Sequence, residues 1–225
     1  MNKQHATILL YTAGGILGVV GLIFYVKTFS VKAKAVRKAK QEWKDWGEQT
    51  VNVHNQTIKS GGQENEAGYS DRVKTYWKEG TGLNYDGTDR DVAWSATWIS
   101  FIWKKAGAGT KFKYSPSHSE YIRDSISNRK ANNFSKPFIG LRVSEYAPEV
   151  GDMVCYSREG RSDLYNETGA YKSHCDIVVK KGRNFIEVIG GNVGQSVTKK
   201  ILVTDDNGYL IDNNSDWFTI IKSNL

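Results

Sequence analysis

Apolar positions along this chain fall into three regimes. In the first, residues 6–26 read Ala-Thr-Ile-Leu-Leu-Tyr-Thr-Ala-Gly-Gly-Ile-Leu-Gly-Val-Val-Gly-Leu-Ile-Phe-Tyr-Val, with no charge among them. About 20 such residues in a helix span a bilayer core of roughly 30 Å, so the run predicts a transmembrane helix after a short tail, 1–5. Residues 27–59 follow as a polar, basic and helix-friendly stretch that reads as a stalk. The second regime has helical spacing. Ala67 to Glu79 reads as a helix ended by Gly80-Thr-Gly82. Asp91 to Gly107 then places Trp94, Trp98, Phe101, Ile102 and Lys105 on one side, and Ile99, Trp103 and Ala106 on the next. That surface is wider than one stripe, which predicts a helix packed on several sides. Lys104 and Lys105 suit its negative end, and Gly107 stops it. Ser115 to Ile126 predicts a further helix, with Ser115 as cap and Pro116 in first position.

The third regime, from about Pro148, has strand character. Strands are predicted at 152–156, 174–179, 185–189, 197–203 and 209–211, with turns at Lys180-Lys-Gly-Arg-Asn184 and Asp205-Asp-Asn-Gly208. Trp217 to Ile221 is expected to close the sheet. Helices first and antiparallel strands after them predict an α+β domain over 60–225, with the loop Ser60-Gly-Gly-Gln-Glu-Asn-Glu66 as its boundary.

Charge changes this picture only at the amino end. The chain carries a net +7, but residues 1–42 hold seven Lys or Arg and one acid, Glu42, which leaves +1 for the rest. The basicity is therefore no sign of a nucleic-acid surface on the domain, and no nucleic-acid partner is expected. Lysines from Lys27 to Lys40 outnumber Lys3 before the apolar run, so the positive-inside rule keeps the C-terminal domain cytoplasmic. A cell-wall enzyme needs the opposite orientation. Cleavage near Ala33-Lys34-Ala35 is the alternative to an anchor. Cys155 and Cys175 form no disulfide framework, and core packing is their expected role. Neither has metal-ligand spacing, so neither metal nor organic cofactor is expected.

Ser95 stands at the mouth of the central helix, where backbone N–H groups converge. It reads either as a helix-capping residue or as a nucleophile. His174 opens a strand and shares a face with Asp176 and Val178. Glu187 interrupts the apolar run Phe185-Ile-x-Val-Ile189, which makes it a candidate to orient His174 from the next strand. Asn192 just beyond it is the competing orienter. Tyr85 is a candidate at the oxyanion site, His118 a candidate substrate contact or alternative base, and Arg158 a candidate fork for a substrate carboxylate.

A nucleophile at a helix start, a Gly-Asp-hydrophobic strand, a His-led strand and a polar residue on the following strand together resemble the NlpC-type and CHAP cell-wall amidases and endopeptidases. Trp94-Ser-Ala-x-x-Ile-Ser100, His118-x-x-Tyr-Ile122, Gly151-Asp-x-Val-Cys155, Ser173-His-Cys-Asp-Ile-Val-Val179 and Val188-Ile-Gly-Gly-Asn-Val193 look more closely like a bacterial domain-of-unknown-function family (DUF2272) in that superfamily. The likeness covers about residues 66–212. It implies a papain-like fold and hydrolysis of peptide or amide bonds in peptidoglycan or its peptide stems. Ser95, His174 and Glu187 or Asn192 would carry the chemistry, and residues 6–26 would sit in a lipid bilayer of the bacterial envelope. The superfamily's nucleophile is Cys, and the matching position here is Ser95, which a helix dipole does not ionise. The alternative is a catalytically silent cell-wall-binding or structural protein, or a component of a phage particle or lysis system.

Overall fold

The computed structural model describes residues 29–225. Helix α1 spans Val31–Asp45, capped by Ser30, whose Oγ accepts from the Ala33 N–H at 3.1 Å. Two short strands follow, β1 (Thr50–Val51) and β2 (Thr57–Lys59), then α2 (Tyr69–Gly80), α3 (Ser95–Ala106) and α4 (His118–Lys130). The remaining strands are β3 (Phe138–Arg142), β4 (Met153–Ser157), β5 (Ser173–Gly182), β6 (Phe185–Val193), β7 (Ser196–Val203) and β8 (Asp216–Ser223). They form one eight-stranded sheet in the order β2-β1-β7-β6-β5-β4-β8-β3. Every pairing is antiparallel except β1 with β7. The mixed α+β class expected from the sequence is the one observed.

Both faces of the central strands are covered, which accounts for their near-continuous apolar runs. Met153, Cys155, Ile177, Val179 and Ile189 face the helices. Val154, Val178, Ile186, Val188, Leu202 and Ile220 face the other way, into a smaller core that Leu210 and Trp217 complete. Helix α3 is the spine of the helical layer and contacts α1, α2, β5 and β6. Ten of its residues are buried, and Gly107 ends it in the left-handed conformation (φ 89°).

The segment read as a stalk is part of this body. Ala35, Val36 and Ala39 of α1 are buried in the main core, and β1 extends the sheet. Two buried carboxylates fasten the helix. Asp152 receives Lys32 Nζ at 2.7 Å, the Ser223 N–H at 3.0 Å, Tyr146 Oη at 3.0 Å and the Glu149 N–H at 2.9 Å. Glu42 receives Arg72 Nη2, Lys38 Nζ and Tyr76 Oη. The buried apolar positions of α1 (Ala35, Val36, Ala39) are small and stand among lysines and Arg37, so the segment reads as polar although its packing is intimate.

Other expectations shift with packing. The helix predicted from Ser115 starts at His118, with Ser117 at its cap. β8 lies inside the sheet, between β4 and β3, and the strand expected at 209–211 is a single bridge from Thr204 to Leu210. Cys155 and Cys175 are not free core residues: they lie directly opposite on β4 and β5 and are joined as a disulfide. The register of two strands, which no spacing in the chain announces, brings them together.

The expectation of a single-pass membrane protein is corrected. Among the described residues no helix is long and apolar enough to cross a membrane, and the run 6–26 lies outside the described residues.

Removing Glu42 takes the acceptor from the buried Tyr76 hydroxyl and leaves Arg72 with Asp45 alone. Glu42→Ala is expected to cost about 3 kcal/mol of stability, read as a lower urea midpoint at unchanged slope. Replacing both cysteines by alanine releases a loop of 20 residues and is expected to cost about 3 kcal/mol in the same titration.

Candidate functional site

Ser95 is the first residue of α3, and Trp94 before it occupies the cap position without a side-chain bond to the helix. The hydroxyl of Ser95 is therefore not a cap. Its Oγ lies 2.7 Å from Nε2 of His118, the first residue of α4. Ser100 makes this meeting possible. One turn further along α3, its hydroxyl donates to the Ser115 carbonyl at 3.0 Å and accepts from the Ser115 N–H at 3.1 Å. That pair of bonds fixes the chain just before α4 and hence where α4 starts. The N–H groups of Ser95, Ala96 and Thr97, in the first turn of α3, have no acceptor inside the helix.

The other ring nitrogen of His118 is bonded to Tyr121 Oη, three residues along the same helix face. The ring of His174 lies beside that of His118, with centroids 4.9 Å apart. His174 sits at the start of β5 and is fully buried. Its Nδ1 accepts from Arg158 Nη2 at 2.9 Å, and its Nε2 is 3.0 Å from Asp176 Oδ1. An arginine only donates, so the His174 proton resides on Nε2 and points at Asp176. The second oxygen of Asp176 pairs with Lys200 Nζ at 2.7 Å. The Lys200 ammonium in turn lies over the rings of Tyr156 and Trp217, at 4.9 and 5.4 Å.

Glycine at two positions of β6 is required here. A Cβ on Gly190 would come within 1.9 Å of Asp176 Oδ1, and one on Gly191 within 2.5 Å of Trp98. The pair lets the buried carboxylate approach from one side and α3 from the other.

Burial, then the neighbouring His174 and Arg158, hold the His118 imidazole well below the usual histidine range, with Asp176 opposing. Burial lowers His174 to about 4, against the pull of Asp176. Burial alone would raise the Asp176 carboxyl, but Lys200 first and His174 next outweigh it and hold it well below the usual range. Both imidazoles are thus neutral near pH 7, beside an ionised carboxylate and two cations. Neutral His118 can accept a proton from Ser95 when its own proton is on Nδ1, facing Tyr121.

The structure brings together Ser95, His118, His174 and Arg158. It does not bring in the other predicted residues. Glu187 lies opposite Lys180, near the hairpin turn, and pairs with Lys180 at 2.9 Å and Lys199 at 3.4 Å. His174 is at the far end of that hairpin. Asn192 has a left-handed backbone (φ 55°), and its amide takes the Trp94 N–H and reaches Glu64 Oε2, both at 3.2 Å. It holds the start of α3 and not the imidazole. Tyr85 stands edge-on to Trp77, with ring centroids 5.0 Å apart. His174 has its two nitrogens engaged by Arg158 and Asp176, and the imidazole that touches Ser95 is that of His118. Tyr121 and Lys200 carry no site signal in the sequence, and Asp176 is marked there only by sharing a strand face with His174.

A cleft of about 170 Å³ lined by Glu64, Asn65, Gly87, Arg90 and Gln195 adjoins the start of α3, where Glu64 accepts from Trp94 Nε1 at 2.5 Å. A second, of about 220 Å³, is lined by Lys200, Tyr156 and Trp217 among others. Ser95 lines neither and is 2% exposed. Among the described residues no group of three His, Cys, Asp or Glu side chains is placed to hold a metal ion.

The sign of the pH dependence follows from the two imidazoles. Their folded values lie below the unfolded histidine value of about 6.5, so the unfolded chain binds more protons below that pH. Stability is expected to be fully present above about pH 6.5 and to fall as the pH drops toward about 4. Asp176, whose folded value is also depressed, extends the loss to lower pH. Urea midpoints between pH 7 and 4 measure this, and His174→Gln is expected to flatten the slope.

A sequence profile of the bacterial family described as "Uncharacterized protein conserved in bacteria (DUF2272)" matches residues 60–222, well over half of the chain, and the chain belongs to that family. Helix α1 and strands β1 and β2 precede the matched region yet pack into the same body. No curated protein and no solved structure matches the chain.

Proposed function

We propose that this member of the family is a serine-dependent hydrolase of peptide or amide bonds, with Ser95 as nucleophile and His118 as general base. The observation that carries the reading is the 2.7 Å contact between Ser95 Oγ and His118 Nε2 at the amino end of a buried helix. Ser95 Oγ attacks the carbonyl carbon while its proton passes to His118 Nε2. The tetrahedral oxyanion is met by the free N–H groups of the first turn of α3. As the C–N bond breaks, His118 returns the proton to the departing amine. Water then attacks the acyl-enzyme, His118 takes its proton, and Ser95 leaves with that proton restored. Tyr121 orients the imidazole in place of the carboxylate expected from Glu187. The papain-like arrangement and the substrate class, peptide or amide bonds of bacterial peptidoglycan, rest on the resemblance of the motifs around Ser95, His118 and His174.

A second reading has its own support. Ser95 is 2% exposed, and His118 has a phenol behind it where a hydrolase usually has an acid or amide. Both features favour a catalytically silent domain that keeps the fold for binding cell-wall material.

Digestion of purified peptidoglycan by the full chain, with mass spectrometry of the soluble fragments, separates the two. The hydrolase reading expects new fragments that vanish with Ser95→Ala and fall by about 10²–10⁴-fold with His118→Ala. Loss in His174→Ala with full turnover in His118→Ala would return the base role to His174. No fragments from folded protein, together with sedimentation on peptidoglycan, would establish the silent reading.

A further inference from the structure

Arg158 lies just past β4 and is exposed, yet one of its N–H groups is spent on Nδ1 of the fully buried His174. A guanidinium has five donors in a planar fork. Among the described residues no carboxylate is paired with this one. Its neighbour Glu159 turns instead to the Lys172 N–H, at 2.7 Å.

The charges that face the two imidazoles are few. Asp176 comes from β5, Lys200 from β7 and Arg158 from the end of β4, while Tyr121 of α4 and Tyr156 of β4 are neutral phenols. Asp176 and Lys200 cancel. Arg158 is left as one uncompensated positive charge beside His174, whose ring lies against His118. During attack by Ser95, His118 must become an imidazolium in a buried place with a cation close by. In the empty site that charge works against catalysis.

We propose that Arg158 is the receptor for a carboxylate on the substrate, and that its occupation activates the Ser95–His118 pair by cancelling the uncompensated positive charge next to it. The inference rests on the reading of Ser95 and His118 given above. It narrows the substrate class to peptides that carry a free carboxylate near the scissile bond. Arginine suits the task because its fork takes both oxygens of a carboxylate while one N–H remains on His174. A substrate without that anion would bind a site whose base stays reluctant, so specificity would appear in turnover and not only in affinity.

The test reads the imidazoles directly and needs no turnover. Full-length Ser95→Ala protein labelled with nitrogen-15 in histidine is titrated by NMR, alone, with N-acetylglycine, and with its neutral analogue N-acetylglycinamide. The carboxylate is expected to raise the titration midpoints of His118 and His174 by about one pH unit, tenfold in protonation, while the amide leaves them unmoved. In Arg158→Gln the midpoints should start higher and no longer respond. Arg158→Lys keeps the charge without the fork, so its midpoints should stay low and respond only weakly. Unmoved midpoints at saturating carboxylate, equal shifts with the amide, or an undiminished response in Arg158→Gln would each overturn the proposal. Because Ser95→Ala has no nucleophile, these outcomes stand whether or not the wild-type chain hydrolyses peptidoglycan.

Discussion

A carboxylate removed from water needs a cation or a full set of hydrogen-bond donors, and three buried carboxylates that take a cation organise this domain. Asp152 takes Lys32 and so docks α1 onto the start of β4 and the end of β8. Glu42 takes Arg72 and Lys38 and locks α1 against α2. Asp176 takes Lys200 and ties β5 to β7 across β6. Each of these pairs is more demanding than an apolar contact, since the carboxylate alone would be left charged in a low-dielectric interior. They contribute specificity of arrangement: only one placement of α1 and one register of the strands satisfies all three.

The same constraint shapes the candidate site. Asp176 is the one buried carboxylate near the two imidazoles, but it is already divided between His174 and Lys200. His118, the imidazole that touches Ser95, is left with a phenol. A neutral phenol can hold a ring in place but cannot match a carboxylate in stabilising the imidazolium. The site is thus well ordered and electrostatically restrained at the same time.

Much of the fold was legible in the chain. The wide apolar surface of 91–107, its Gly107 stop and the strands at 152–156, 174–179, 185–189 and 197–203 follow from local periodicity, and local periodicity governs them. What escaped depends on contacts far apart in sequence. Helix α1 buries small residues (Ala35, Val36, Ala39) set among many cations, so its composition suggested a solvated stalk although its apolar positions share one face. The disulfide and the place of β8 are consequences of register and strand order. Glu187 misled because apolar neighbours suggested burial toward the imidazole. Counting back from the turn at 180–184 puts position 192, not 187, level with His174, and Asn192 then bends away to hold Trp94. His118 and Ser95 were each read as chemically interesting, but their meeting depends on Ser100 clamping Ser115, a tertiary contact with no motif of its own.

The parallel pairing of β1 with β7, and the docking of α1 on Asp152, set an order of events during synthesis. Helix α1 leaves the ribosome well before β7 and the Ser223 carbonyl that Lys32 reaches. At a translation rate of about 5–20 residues per second, the interval is on the order of ten seconds. Through that time α1 has α2 and α3 to pack on but not Asp152 or the sheet, and β1 has to wait for β7. Such long-range closure slows folding relative to a chain built from neighbouring contacts.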